Sequence, residues 1–287
     1  MRRPLSRFTG TRVRRDEVLL VDVIVCVKQI LDPEMPASAF KVDEATMTVV
    51  PPPGVQPVIS PFDAQAVEAA LQLRDAAEDG TISVLSLGPD SARDAIKHGL
   101  AMGADDGYHL NDAAFEGGDS WTTALALSKA VEKIGLPDVL LFGRQAADWD
   151  YGVVGSMVAE LLDLPSATVL RSVEWSDGTI NVSRVVSDGF ESITTELPCV
   201  LTISNEFGDP RYPQLRQIMQ AAKKDVTVWA PSDIGLDPGA VGAAGARVTM
   251  EQLFVPVNDT EVEFIEGDSP EEKAQNLAQK LREAKII

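Results

Sequence analysis

The sequence predicts an α/β fold with a doubly wound, mostly parallel sheet, an antiparallel section and a C-terminal arm. Three observations carry this. V-L-L-V-D-V-I-V-C-V at 18–27 is a continuous apolar, β-branched run, as expected for a strand buried on both faces of a parallel sheet. Strand-like and helix-like segments then alternate up to about residue 162. From 167 the rhythm changes to closely spaced strands separated by S-D-G at 176–178 and 187–189, which read as hairpin turns.

The elements follow in order. Residues 41–50 have strand character, and P-P-P-G at 51–54 ends that excursion. Ser60-Pro61-Phe62-Asp63 is a helix start: serine suits the cap, proline the first turn, and the acid the positive end of the dipole. Ala66, Val67, Ala70, Leu71 and Leu73 continue an apolar face. T-I-S-V-L-S-L at 81–87 is a second strand, and Gly88-Pro89 turns the chain into a helix ending near Met102. Tyr108–Leu110 is a short strand, 122–134 a helix, D-V-L-L-F-G at 138–143 another buried strand, and 153–162 a helix. Pro210 and Pro213 interrupt 205–214, before Leu215, Ile218 and Met219 recur at helical spacing. The expected organisation is a basic extension at 1–17, an α/β domain at 18–229, and an arm with a terminal helix at 230–287. The stripe Ala274, Leu277, Ala278 and Leu281 gives that helix one apolar face in need of a cover.

Composition narrows the function. With 287 residues, 45% of them hydrophobic, the chain can build a sizeable core. A net charge of −19 opposes binding to nucleic acid or to anionic membranes. Residues 1–15 carry six arginines and no acid, which fits either a transit peptide or an unstructured basic extension. The two cysteines have no metal-like spacing and suit a reducing compartment, and no apolar run is long enough for a membrane span. A cytoplasmic location is expected, with the mitochondrial matrix as the alternative.

In such sheets ligands bind at the carboxyl ends of the strands, near the switch point. Four segments converge there: Cys26–Asp32, Ser60–Asp63, Leu87–Gly88 and Gly143–Gly155. Neither G-x-G-x-x-G nor G-x-x-x-x-G-K-[ST] occurs, so the common phosphate cradles are missing. Spacing alone leaves two readings open: adenine-nucleotide contacts, or ordinary turns and caps.

An ordered set of motifs resembles the β subunit of electron transfer flavoprotein (the FixA family). It comprises V-C-V-K-Q at 25–29, S-P-F-D-A-Q-A-V-E-A-A-L at 60–71, L-A-M-G-A-D at 100–105 and G-R-Q-A-A-D-W-D-Y-G-V-V-G at 143–155. S-D-G-F-E with L-P-C-V-L-T follows within 187–202, then P-R-Y-P-Q-L-R-Q-I-M at 210–219. The resemblance covers about 20–255. It implies a Rossmann-like, adenine-nucleotide-binding fold in a heterodimer with an α subunit. FAD would sit chiefly on α, and AMP or a second FAD on this subunit. Such a chain is an electron carrier rather than a catalyst on its own. It would pass electrons between acyl-CoA-type or other flavin dehydrogenases and a quinone reductase or another acceptor, with electron bifurcation in some members.

Carried over residue by residue, the resemblance places nucleotide contacts on Cys26, Ser60, Pro61, Phe62, Asp63 and Leu87. It continues them through Gly143, Arg144, Gln145, Ala146, Ala147, Asp148, Trp149, Asp150, Tyr151, Gly152, Val153 and Val154. The recognition loop is 205–224, Leu215 its docking residue, and Arg184 lies near the subunit junction. Gly152, Val153 and Val154 depart from the family's usual amide and hydroxyl and offer backbone donors only, which leaves AMP and FAD both open. Asp148 and Asp150 are expected to cap the following helix or to bond backbone or ribose. D-A-A-F-E-G-G-D-S-W-T-T at 112–123 resembles the bifurcating branch more than the simple carriers. The alternative from another class, a stand-alone adenine-nucleotide enzyme or sensor, would need a triphosphate cradle or a magnesium site.

Overall fold

A computed structural model describes residues 20–176, 178–256 and 262–287. The basic extension at 1–17 and the middle residue of the first S-D-G turn lie outside the described residues. In chain order the strands are β1 (Val23–Cys26), β2 (Gln29–Ile30), β3 (Lys41–Asp43), β4 (Thr48–Val50), β5 (Val58–Ile59), β6 (Ile82–Leu87) and β7 (Asp106–Leu110). β8 (Val139–Gly143), β9 (Ser166–Ser176), β10 (Thr179–Val186), β11 (Gly189–Glu196), β12 (Cys199–Ile203) and β13 (Thr227–Trp229) complete them. The helices are α1 (Pro61–Ala77), α2 (Arg93–Met102), α3 (Ser120–Ile134), α4 (Val154–Leu161), α5 (Leu215–Lys223), α6 (Gly242–Gly245) and α7 (Pro270–Glu283).

Nine strands form one sheet in the order β11-β10-β9-β12-β8-β1-β6-β7-β13. β12, β8, β1, β6, β7 and β13 pair in parallel, and β9 joins β12 in parallel. Only β10 runs against its neighbours, between β9 and β11, so the two S-D-G sequences do join hairpins. The doubly wound sheet with an antiparallel section is therefore the fold the sequence predicts.

Period-two alternation distributes the core to both faces. Val23, Val25, Ile82, Val84, Val139 and Leu141 face α1 and α2 and pack with Val67, Leu71, Ile96 and Leu100. Ile24, Cys26, Leu85, Leu140 and Phe142 face the other way, onto Ala124, Leu127 and Val131 of α3 and Val158 of α4. Regular pairing in the first strand covers less than 18–27, but Val21 and Val27 remain buried and bond to Asp79 O and Leu85 O.

Contacts divide the chain into two units. Of the described residues, the larger contains 20–40 and 50–251; the smaller contains 41–49 and those from 252 on. The division thus falls after Glu251, not after Trp229. The stretch from 230 also contributes core: Pro231, Ile234 and Val241 are buried, the last two within the α3 and α4 layer. Its low-complexity run G-A-V-G-A-A-G conceals this. Gly242 has φ +56 and lies so close to Ala114 O that a side chain has no room, and Ala243 N donates to Glu116 O at 2.8 Å. In the smaller unit β3 and β4 pair, and Ser269 caps α7 by accepting from Glu272 N. No residue of α7 is buried.

Asp119 joins the returning segment to α3. One oxygen accepts from Thr122 N at 2.9 Å, closing a capping box, and the other accepts from Arg247 N at 2.7 Å and Val248 N at 3.0 Å. The Arg247 guanidinium lies 3.5 Å from the Trp121 ring centre. Asp119→Ala removes a helix cap and this tether together. We expect a loss of about 1–2 kcal/mol, seen in urea unfolding, with a changed Trp121 fluorescence in the folded state. Unchanged stability would show that the carboxylate links nothing of consequence.

Candidate nucleotide site and docking segment

The sheet order fixes where a ligand can enter. From β1 the chain adds β6 and β7 on one side, then returns to add β8 on the other. The chain leaving β1 therefore goes to α1 on one face and the chain leaving β8 to α4 on the other, which leaves a crevice at their carboxyl ends. The N-terminus of α1 stands over it. Pro61 occupies the first helical position and fits because its missing N–H would have no partner there. Ser60 is the cap residue, yet its hydroxyl makes no cap bond. Its Oγ is buried without a partner, while Ser60 N donates to Lys28 O at 2.9 Å.

Asp63, at the third helical position, bonds away from its own helix. Its Oδ2 accepts from Lys28 N at 2.8 Å and its Oδ1 from Gly143 N at 3.1 Å. One carboxylate thus ties the ends of β1 and β8 to the start of α1, with both oxygens engaged by backbone. Gly143 is needed for this contact: a Cβ there would come within 2.7 Å of the Phe62 Cβ. Burial pushes the Asp63 carboxyl up from 3.8 to about 7, against the two backbone bonds and Lys28, with Asp148 adding to the rise.

The loop 144–153 covers the mouth. Arg144 N donates to Ile203 O at 2.8 Å, and its guanidinium lies 5.8 Å from the Phe62 ring centre. Lys28 Nζ pairs with Asp148 at 2.6 Å, and Trp149 N donates to the same carboxylate at 2.9 Å. Gln145 Nε2 donates to Asp150 at 2.7 Å. Neither acid caps the following helix; each braces its own loop. Trp149 and Tyr151 stack with ring centres 6.2 Å apart, and Gly152 turns the chain at φ +62. Ala146 and Ala147 are half-buried within this loop. Val153 then caps α4 and has no side-chain acceptor to offer, so the first-turn N–H groups of Val154 and its successors face outward uncapped.

Cys26 and Leu87 approach the crevice from the α3 face of the sheet; Ser60, Asp63 and Gly143 approach from the α1 face. Cys26 is buried, and burial pushes its thiol well up, with Asp63 adding to it. It is thus a packing group, not a nucleophile. Two more residues belong here: Lys28, which lies within the converging segment 26–32 but was not named individually, and Ser86, which was not singled out. Lys28 serves by its backbone and its ammonium, and its signal was a charge directly after a buried strand. Ser86, one residue from the end of β6, has a buried Oγ without a partner, a polar residue inside an apolar run.

Arg184 lies elsewhere. It is on β10, three strands from β8 in the sheet, and faces Glu191 across the hairpin at 3.9 Å. Leu215 is the first residue of α5 and is 72% exposed; beside it Tyr212, Ile218 and Met219 are exposed too. Among the described residues no group of three potential metal ligands occurs, and no helix is long and apolar enough to cross a membrane.

A family profile described as the Electron transfer flavoprotein domain matches residues 49–234. The chain belongs to the electron transfer flavoprotein β-subunit family. It is 37% identical over 265 residues to the caffeyl-CoA reductase-Etf complex subunit CarD of Acetobacterium woodii, covering 92% of this chain and 99% of that one. It is 35% identical over 268 residues to the electron transfer flavoprotein subunit beta of Thermoanaerobacterium thermosaccharolyticum, covering 93% and 100%. Protein FixA of Azorhizobium caulinodans is 33% identical over 242 residues, covering 82% and 84%. Electron transfer flavoproteins are flavin-associated electron carriers, and a β subunit implies an α subunit.

The Asp63 carboxyl binds its proton more tightly folded than unfolded. The stability it contributes is full below about pH 4 and is lost as pH rises through about 7. Asp63→Asn keeps one acceptor but presents an amide to the other backbone N–H. It should lower stability by about 1–3 kcal/mol, and urea unfolding should show the gap to wild type shrinking as pH rises across that window. A gap that widens with pH would mean that the two N–H bonds hold the carboxylate ionised.

Proposed function

We propose that this chain is the β subunit of a heterodimeric electron transfer flavoprotein whose switch-point crevice holds an adenylate group. The occupant is AMP, or the adenylate end of a second FAD. The heterodimer passes electrons from flavin dehydrogenases, acyl-CoA-type among them, to a quinone reductase or another acceptor. Bound FAD, chiefly on the α subunit, supplies the redox chemistry. This chain supplies binding and orientation.

The observation that carries the reading is the buried, partnerless Ser60 hydroxyl in a crevice beside an uncapped helix start. A buried hydroxyl without a partner costs stability unless something else bonds to it. The first-turn N–H groups of α4 offer donors and a positive dipole end to a phosphate, and no side chain competes for them. Gly152 adds backbone that can be closely approached. These groups fit a phosphate and a ribose hydroxyl. They do not choose between AMP and FAD, because Val153 and Val154 contribute no side-chain polar group. The resemblance of 112–123 to bifurcating members favours a second FAD.

Co-expression with an α subunit followed by denaturing extraction tests this. One FAD with one AMP, or two FAD, per heterodimer supports the site; a single FAD without AMP overturns it. Ser60→Ala should weaken retention of the β nucleotide by about 0.5–1.5 kcal/mol, read as nucleotide content after dialysis, with α-bound flavin unchanged.

Leu215 is read as the docking anchor. Its side chain stands in solvent at the first turn of a short helix whose apolar stripe is uncovered. Leu215→Ala should raise the KM for the partner dehydrogenase, with an anchor worth on the order of 2 kcal/mol. Melting temperature and flavin content should hold, since alanine suits the helix and little core is lost. A melting temperature several degrees lower would instead mark Leu215 as a packing residue.

A further inference from the structure

Apolar packing alone does not hold the docking segment in place. Helix α5 buries only Ala221 of its own residues. A cleft of about 530 Å³, lined by Arg93, Lys97, His98, Tyr212, Pro213 and Ile218 among others, lies between α2 and this segment. Polar links secure both of its ends.

At the front, Glu68 of α1 has a side chain only 8% exposed. Its carboxylate accepts from Arg211 Nε at 2.8 Å, Arg211 Nη2 at 3.1 Å and the Arg211 backbone N at 3.1 Å. Gln72 Nε2 donates to it at 3.0 Å, and Arg211 Nη2 also reaches Asp75 at 3.1 Å. The guanidinium fork and the main-chain N–H together fix both the place and the rotation of residue 211. One turn earlier on α1, Gln65 Nε2 donates to Gly208 O at 3.2 Å. At the rear, Lys97 Nζ of α2 donates to Ala221 O at 2.8 Å, Ala222 O at 3.3 Å and Lys224 O. All three ammonium donors meet carbonyls at the C-terminus of α5, where a cation is favoured. Lys224 Nζ reciprocates, donating to Ala104 O at 2.8 Å and Asp105 O at 2.9 Å just past α2.

We infer that Glu68 and Lys97 are positioning residues for electron exchange: they pre-set the docking segment so that Tyr212, Leu215, Ile218 and Met219 meet a partner already ordered. The inference rests on the reading of Leu215 as the docking anchor. A brief encounter carries few contacts, and ordering a loop at each one would weaken it. Because the links lie at the ends of the segment, its apolar middle stays free for the partner. None of the linking side chains needs to touch that partner.

The test uses the FAD-loaded heterodimer, with a short-chain acyl-CoA dehydrogenase, reduced by its own substrate, as electron donor. In Glu68→Gln and Lys97→Met, hydrogen exchange of the amides in 205–224 should rise about tenfold. KM for the dehydrogenase should rise by a similar factor, with kcat at saturating donor and flavin content unchanged. Arg211→Lys keeps the charge without the fork and should fall between wild type and Glu68→Gln. Asp75→Asn, at the exposed outer partner, should change little. If Glu68→Gln unfolds the domain, Lys97→Met decides alone. Unchanged exchange and KM in both variants overturns the inference, as does a fall in kcat at constant KM. Leu215→Ala separates the two levels. If it raises KM while the positioning variants alter nothing, only this inference fails. If it leaves KM unchanged, the docking reading fails and takes the inference with it.

Discussion

The fold depends at its centre on one carboxylate accepting two backbone N–H groups from different strands. Asp63 joins Lys28 N, just past β1, to Gly143 N, at the end of β8, across the point where the winding of the sheet reverses. Elsewhere in the parallel sheet, neighbouring strands hold each other by their own ladder. At the switch point the ladder ends with Cys26 opposite Phe142, and the segments beyond leave for opposite faces. A side chain from the helix above substitutes for it. This explains why Gly143 has no side chain, why the acid is at the third position of α1, and why its charge is so strongly desolvated. The crevice stays open because something other than strand pairing closes its floor.

The same helix serves a second site. Ser60 and Asp63 lie at its start beside the crevice; Gln65 and Glu68 lie one and two turns further on and hold the segment 205–211. These polar residues are buried inside an otherwise apolar helix of alanines, valine and leucines. Each would be costly without a partner, and every one except Ser60 finds at least one partner within the chain. Two buried atoms of this helix and its cap remain over, Ser60 Oγ and Gln65 Oε1. Gln65 bonds through its Nε2, whereas the Ser60 side chain has no bond at all and lies beside the crevice, which is what makes its hydroxyl informative.

Much of this was legible in the sequence. The β-branched run at 18–27, the alternation that follows and the S-D-G turns contained the sheet, because burial on two faces and tight hairpins leave plain compositional marks. The crevice segments could be listed for the same reason, since strand ends and helix starts have recognisable residues. What each residue does there was less legible. Asp63 reads as a first-turn acid in sequence; its bonds go to residues 35 and 80 positions away. Glu68, though inside the motif at 60–71, and Lys97 gave no sign of their links to 205–224, because a charged residue on a helix ordinarily means a solvated face. The core contribution of 230–251 was hidden too. Glycine and alanine carry little hydrophobic signal, yet their small size is what lets that backbone lie against the turn at 113–116.

On the reading that 205–224 docks a partner, its charge limits how it can do so. The protein as a whole is strongly acidic, but 210–224 contains Arg211, Arg216, Lys223 and Lys224 and no acid. The structure engages two of these cations: Arg211 is paired with Glu68 and Asp75, and Lys224 donates to two backbone carbonyls. Among the described residues, Arg216 and Lys223 have no ion pair within the chain. Two exposed cations on a surface of opposite net sign steer only weakly at physiological ionic strength. Affinity must then come from the uncovered apolar side chains, and these act only if presented in a fixed arrangement. The bonds that occupy Arg211 and Lys224 are among those that hold the segment still, so having fewer free cations and being better ordered have the same source.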